Sequence, residues 1–118
     1  MGLFALFRRS SRLQGSSVQF TDDTITHLRP DGKIETVRWD QLDEVGVVTT
    51  GDGPFAEDVF WMLLGPGRRA RCAIPASAIG MDTLLARLQS LPDFDNEALI
   101  RAMGSTTDAR FSCWRRPH

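Results

Sequence analysis

The chain is poor in the residues from which catalytic and metal centres are usually built. It holds only two cysteines, Cys72 and Cys113, and two histidines, His27 and His118. Cysteines without metal-type spacing make neither a zinc ligand set nor a disulfide framework. They read as reduced, buried thiols acting as small hydrophobes, which points to the cytoplasm. No G-x-S-x-G elbow occurs, and a Ser–His or Cys–His arrangement would need His27 beside Ser112 or Cys113, for which the spacing offers no argument. No catalytic residue, metal ligand or cofactor-binding residue is therefore expected. The longest strongly apolar run, residues 59–64, is far too short to cross a bilayer.

What is present is ordinary in amount and uneven in arrangement. Apolar residues make up 42% and charged residues 25% of 118 positions, a globular profile for one domain. The net charge of −1 conceals a segregation. Residues 17–67 carry ten acids against Arg29, Lys33 and Arg38, while basic clusters stand at Arg8, Arg9 and Arg12, at Arg68, Arg69 and Arg71, and at Arg110, Arg115 and Arg116. Such asymmetry suggests partners.

Period-two alternation over residues 33–50 (KIETVRWDQLDEVGVVTT) marks half-buried antiparallel strands through Ile34, Val37, Trp39, Leu42, Val45 and Val47. Before it, residues 18–20 and 24–28 read as two short strands around Thr21-Asp22-Asp23, and Arg29-Pro30-Asp31-Gly32 reads as a tight hairpin turn. Strands are expected over residues 33–39, 45–50, 59–64 and 68–74, the last stopped by Pro75, with a loop over residues 51–58. A helix over residues 81–91 places Leu84, Leu85, Leu88 and Leu91 on one face and stops at Pro92. A second helix starts at the cap Asp95, with Phe94 and Leu99 at staple positions. Its buried side is expected from Leu99, Ile100 and Met103, and Gly104 suits a left-handed closing residue. Residues 109–116 form a short terminal strand. The fold class is α+β: a bent antiparallel sheet, two helices and a C-terminal strand. Residues 1–16 form an apolar and basic segment ahead of a single domain at 17–118.

Three patterns invite a chemical reading. Gly51-Asp52-Gly53-Pro54-Phe55-Ala56 fits the relaxed dinucleotide pattern, yet Pro54 removes an amide and Glu57 and Asp58 oppose pyrophosphate, so it reads as an acidic surface loop. Asp40, Asp43, Glu44, Asp52, Glu57 and Asp58 read as a solvated face, as a patch that docks a basic partner, or as the source of a general acid/base pair. Trp39, Trp61 and Trp114, each on an expected strand, read as core filler, and the acidic half of the chain repels nucleic acid.

Taken together, Trp39-x-x-Leu42-x-x-Val45, Phe60-x-Met62-x-Leu64 and Ala73-Ile74-Pro75 before an amphipathic helix resemble a bacterial pleckstrin-homology-like domain over residues 17–91. The resemblance implies a half-barrel of bent antiparallel sheet closed by a helix and used as a docking scaffold for proteins or membranes. Asp22 and Asp23 occupy the first hairpin, where lipid-binding members carry basic residues, and residues 94–118 extend beyond the helix that ends the fold.

The expected function is that of a non-enzymatic, cytoplasmic protein-binding module of a bacterial regulatory or toxin-neutralising kind. Asp52, Glu57 and Asp58 supply its steering charges and Phe55 its buried anchor. One alternative is an enzyme using a carboxylate pair, with Asp43 and Glu57 its candidates. The other is peripheral membrane attachment: Leu3, Phe4, Leu6 and Phe7 enter the interface while Arg8, Arg9 and Arg12 meet anionic lipid. The charge order is wrong for a secretory signal, and Leu6 stands where myristoylation needs Ser or Thr. On the membrane reading, co-sedimentation with anionic vesicles is weak, salt-sensitive and dependent on residues 1–13. Equal sedimentation by a chain starting at Gln14 removes that reading.

Overall fold

β-branched and aromatic residues at alternating positions build most of the described residues between 17 and 75 into strands. The computed structural model describes residues 15–51 and 59–117. Strands β1 (Ser17–Phe20), β2 (Thr24–Leu28) and β3 (Ile34–Arg38) form a three-stranded antiparallel sheet in that order. Strands β4 (Glu44–Thr49), β5 (Val59–Leu64), β6 (Ala70–Pro75) and β7 (Ala109–Arg115) form a four-stranded one, ordered β6-β5-β4-β7. Helices α1 (Met81–Gln89) and α2 (Asn96–Met103) intervene between β6 and β7. The arrangement is α+β, with a bent antiparallel sheet broken into two parts, two helices and a returning strand.

One hydrophobic core serves all these elements. Val18, Ile25 and Val37 come from the first sheet, Val45, Val47, Trp61, Leu63 and Ile74 from the second. Leu84 and Leu88 of α1 are completely buried, with Leu85 packed against the cluster, as the helical spacing predicts. The segment entering α1 is tied to β1: Val18 N–H donates to the Ile79 carbonyl at 2.8 Å, and Ile79 N–H to the Ser16 carbonyl at 2.9 Å. Gly80 follows with φ 90°, and a Cβ there would collide with the Val18 carbonyl. Only glycine fits both demands.

Long-range hydrogen bonds lock the C-terminal strand. Asp95 caps α2 by accepting the Ala98 amide at 3.0 Å, as expected, and its own N–H donates to the Cys113 carbonyl at 2.7 Å. The Trp114 indole donates to the Pro92 carbonyl at 2.9 Å. Arg116 reaches back to β3–β4, donating to the carbonyls of Leu42 at 2.9 Å and Trp39 at 2.7 Å.

Several expectations are corrected. Trp39 is not in a strand but opens a 3-10 turn, Trp39–Gln41. There its indole donates to the Thr21 carbonyl at 2.8 Å and the Arg87 guanidinium covers its ring at 4.5 Å. Ile34 is 65% exposed, because strand alternation turns Glu35 and Val37 inward and leaves Ile34 on the opposite face. The first helix ends at Gln89, short of Leu91. The second buries Ala98, Leu99 and Ala102, while Ile100 and Met103 are 71% and 51% exposed. Two alanines let α2 lie close against β7 and β4, and that choice of face points Ile100 and Met103 away. Gly104 adopts a right-handed conformation (φ −91°), so no left-handed residue closes α2.

Leu88→Ala is expected to cost about 2–5 kcal/mol in chemical denaturation, since its site is closed on all sides. A loss below about half a kcal/mol contradicts this packing.

Candidate functional site

The outward face of the four-stranded sheet is the best-formed site among the described residues. Register places three rows across its strands. One runs Arg115–Glu44–Leu64, the next Ser112–Gly46–Met62–Ala73, the third Arg110–Val48–Phe60–Pro75. The middle row has no side chain on β4 and small ones on β6 and β7, so it sinks into a groove of about 410 Å³. Val48, Met62 and Leu64 give its floor an apolar patch, and its rim carries Arg68, Arg110 and Arg115.

Two bulges shape this face. Between Val45 and Gly46 the register against β7 shifts, so that Val45 faces Trp114 and Gly46 faces Ser112. The extra residue turns both Cys113 and Trp114 inward and brings Arg115 out beside Glu44. A Cβ on Gly46 would stand 3.1 Å from the Phe111 carbonyl, so the close approach of β7 favours glycine there. A second shift, between Leu63 and Leu64, lies beside the turn that presents Arg68.

Electrostatically the groove is basic. Glu44 stands between Arg115 (3.5 Å) and Arg68 (3.8 Å), leaving three arginines against one carboxylate around the rim. The described acids near this end of the sheet are already engaged. Asp40 accepts two 3.1 Å hydrogen bonds from Arg38, which hold its carboxyl below the ordinary range, and Asp43 lies 3.8 Å from Arg116. Asp40, Asp43 and Glu44 thus form ion pairs rather than an open acidic face. Asp52, Phe55, Glu57 and Asp58, the expected docking residues, lie outside the described residues, as do Leu3, Phe4, Leu6, Phe7, Arg8, Arg9 and Arg12. At the base of the 51–58 loop, the Gly51 amide donates to Asp108 at 2.8 Å.

A second cavity, about 390 Å³, opens where the two sheets meet. The cross-strand pair His27 and Glu35 lies there, with Nδ1 of His27 2.7 Å from Oε1 of Glu35. The same oxygen accepts the Ala73 amide of β6 at 3.0 Å, and Arg29 lies 3.7 Å from the other. One carboxylate therefore joins β2, β3 and β6. Ser16, expected in the segment ahead of the domain, is buried here. In the sequence His27 carries no catalytic or metal-binding expectation and Glu35 goes unremarked. The signal was the hairpin itself: folding the chain about residues 29–32 pairs position 27 with 35 and leaves two polar groups on the inward face.

The remaining candidates are dispersed through the fold. Ser112 lines the outer groove and His27 the seam cavity, so the two do not share a site. Both cysteines are free and buried; burial pushes the Cys72 thiol up to about 12 and the Cys113 thiol to about 11. Trp61 and Trp114 belong to the core and Trp39 packs against it. Among the described residues no cluster of His, Cys, Asp and Glu is suited to a metal, and no helix is long and apolar enough to cross a membrane. Compared with known proteins, the chain matches no family model, no curated protein and no solved structure.

The thiols supply a direct check. Raised pKa values cut the thiolate fraction by about two to three orders of magnitude, so a disulfide reagent at pH 8 is expected to label the folded protein at least about a hundredfold more slowly than free cysteine. Denaturant should release both thiols. Rapid labelling of either in the folded chain contradicts the burial.

Proposed function

We propose that the protein is a non-enzymatic protein-binding module whose outer groove receives an acidic, partly apolar segment of a partner protein. The observation that carries this reading is the groove itself: an apolar patch of Val48, Met62 and Leu64 beneath Arg68, Arg110 and Arg115, with Glu44 as the single acid of the described lining. Complementary charge steers such a segment in, and its apolar side chains displace water from Met62, Leu64 and Val48. Glu44 holds Arg68 and Arg115 in place and discourages a uniformly charged polyanion such as nucleic acid. Strands β6 and β7 bound the groove on either side. A docking role also agrees with the one implied by the resemblance to pleckstrin-homology-like domains, although β7 adds a strand beside β4 after both helices. A regulatory or toxin-neutralising setting in a bacterial cytoplasm suits a small module of this kind. Here the sign of the contact is reversed from the sequence expectation: arginines of this chain meet acids of the partner.

The test begins with a tagged pull-down and mass spectrometry, followed by fluorescence anisotropy with a labelled peptide from the recovered partner's acidic segment. Arg110→Glu is expected to weaken that peptide about tenfold, equivalent to about 1.4 kcal/mol, and Ser112→Trp to block it by filling the floor. Rising salt should weaken binding to the wild type more than to Arg110→Glu. A partner that binds both variants as it binds the wild type removes the groove from the function. If a Phe55→Ala, Asp52→Asn, Asp58→Asn triple variant alone loses the partner, the contact belongs to the 51–58 loop instead.

A further inference from the structure

Five large apolar residues are exposed among the described residues, and three of them lie side by side. Register fixes the arrangement. Leu28 pairs with Ile34 on one side and with Ser17 on the other, and Ser17 bridges to Ile79. Strand alternation turns Val18, Ile25 and Val37 into the core, so this row runs across the opposite face of the three-stranded sheet. With strands about 4.8 Å apart the row is about 14 Å long. Leu28, Ile34 and Ile79 are 44%, 65% and 64% exposed. Single exposed apolar side chains need no explanation, but a contiguous set marks a contact surface. We propose that this surface is covered by the chain's own N-terminal segment, with Leu3, Phe4, Leu6 and Phe7 packed on Leu28, Ile34 and Ile79 of the same molecule.

The point of entry and the length of the segment argue for this occupant. The first described residue, Gly15, stands two positions before Ser17, in the middle of the row. Its φ of 24° lies outside the strand region, so β1 does not continue back through it. Wound as a helix, residues 2–13 measure about 18 Å, which matches the row. At helical spacing Leu3, Leu6 and Phe7 fall on one side with Phe4 beside them, while Arg8, Arg9 and Arg12 fall on the other. So short a helix is marginal by itself and draws its stability from packing an apolar face. The other face of the sheet is already taken by the core. A lipid surface suits the row less well. Beside it Arg29 bonds Asp31 and Arg38 bonds Asp40, which leaves Lys33 as the cation there without an acid among the described residues, where anionic lipid takes a basic cluster. A second copy suits it less as well, because two facing rows join three large apolar side chains a side and a standard interface takes about 20–30 residues. The arginine-rimmed groove lies on the four-stranded sheet, so the proposal stands whether or not that groove docks a protein.

Nuclear Overhauser spectroscopy on the full chain, labelled with 13C in its isoleucine methyl groups, tests the contact directly. The expected result is a set of cross-peaks from the Ile34 and Ile79 methyls to aromatic protons of Phe4 and Phe7. Phe4→Leu and Phe7→Leu keep an apolar side chain at each position and identify the source of each cross-peak by its loss. In Leu28→Asp, with the Trp114 indole resonance unchanged as the sign of an intact core, the cross-peaks of both isoleucines are expected to disappear. Absence of cross-peaks in the wild type, or their persistence in Leu28→Asp, overturns the proposal. Cross-peaks found only between a labelled and an unlabelled copy overturn it in favour of an interface between two chains. Broadening of both methyls by anionic vesicles with a spin-labelled lipid, in place of the cross-peaks, overturns it in favour of a membrane surface.

Discussion

The pairing of β7 with β4 is the interaction on which the rest of the structure depends. It joins segments far apart in the chain and gives β4 a neighbour on each side. Helix α2 packs against the surface that this pairing creates, and the helix is anchored to it through Asp95 and the Cys113 carbonyl. The Arg116 bonds to Leu42 and Trp39 satisfy carbonyls of the 3-10 turn, so the return of the strand also holds the link between the two sheets. The same pairing supplies one whole wall of the outer groove, through Arg110, Ser112 and Arg115.

Local geometry separates the roles of several described arginines. Arg116 is turned toward backbone carbonyls, and Arg87 lies over the Trp39 ring. Arg68 and Arg115 converge on Glu44 at the rim of the groove. The C-terminal basic cluster apparent in the sequence is thus divided between these roles. Arg115 and Arg116 are consecutive, yet strand alternation sends one to the rim and the other to the interior link.

Most of the fold was legible in the sequence, because period-two and helical spacing are local signals. Strand β5 has the bounds its composition indicates, and the Asp95 cap forms as capping chemistry requires. Misreadings arose where a local pattern was compatible with two packings. Ile34 fits a strand on either face, and only the inward placement of Val37 decides between them. Ile100 and Met103 look like a buried stripe until the alanines of α2 prove to be the close-packed side. The sites were less legible, since each depends on register between distant segments. Gly46 in the middle of a strand was the visible trace of the groove, and the eight-residue spacing of His27 and Glu35 was the trace of the seam. Neither trace names its partners on β6 or β7.

The sheet order also has a consequence for synthesis. Strand β4 is made well before β7, with β5, β6 and both helices emerging in between. Throughout that interval the β4 edge presents unpaired amides and carbonyls on a strand containing Val45, Val47 and Val48. An edge of that kind is a template for pairing with other chains. A chain at this stage is therefore vulnerable to misassembly until the last strand arrives.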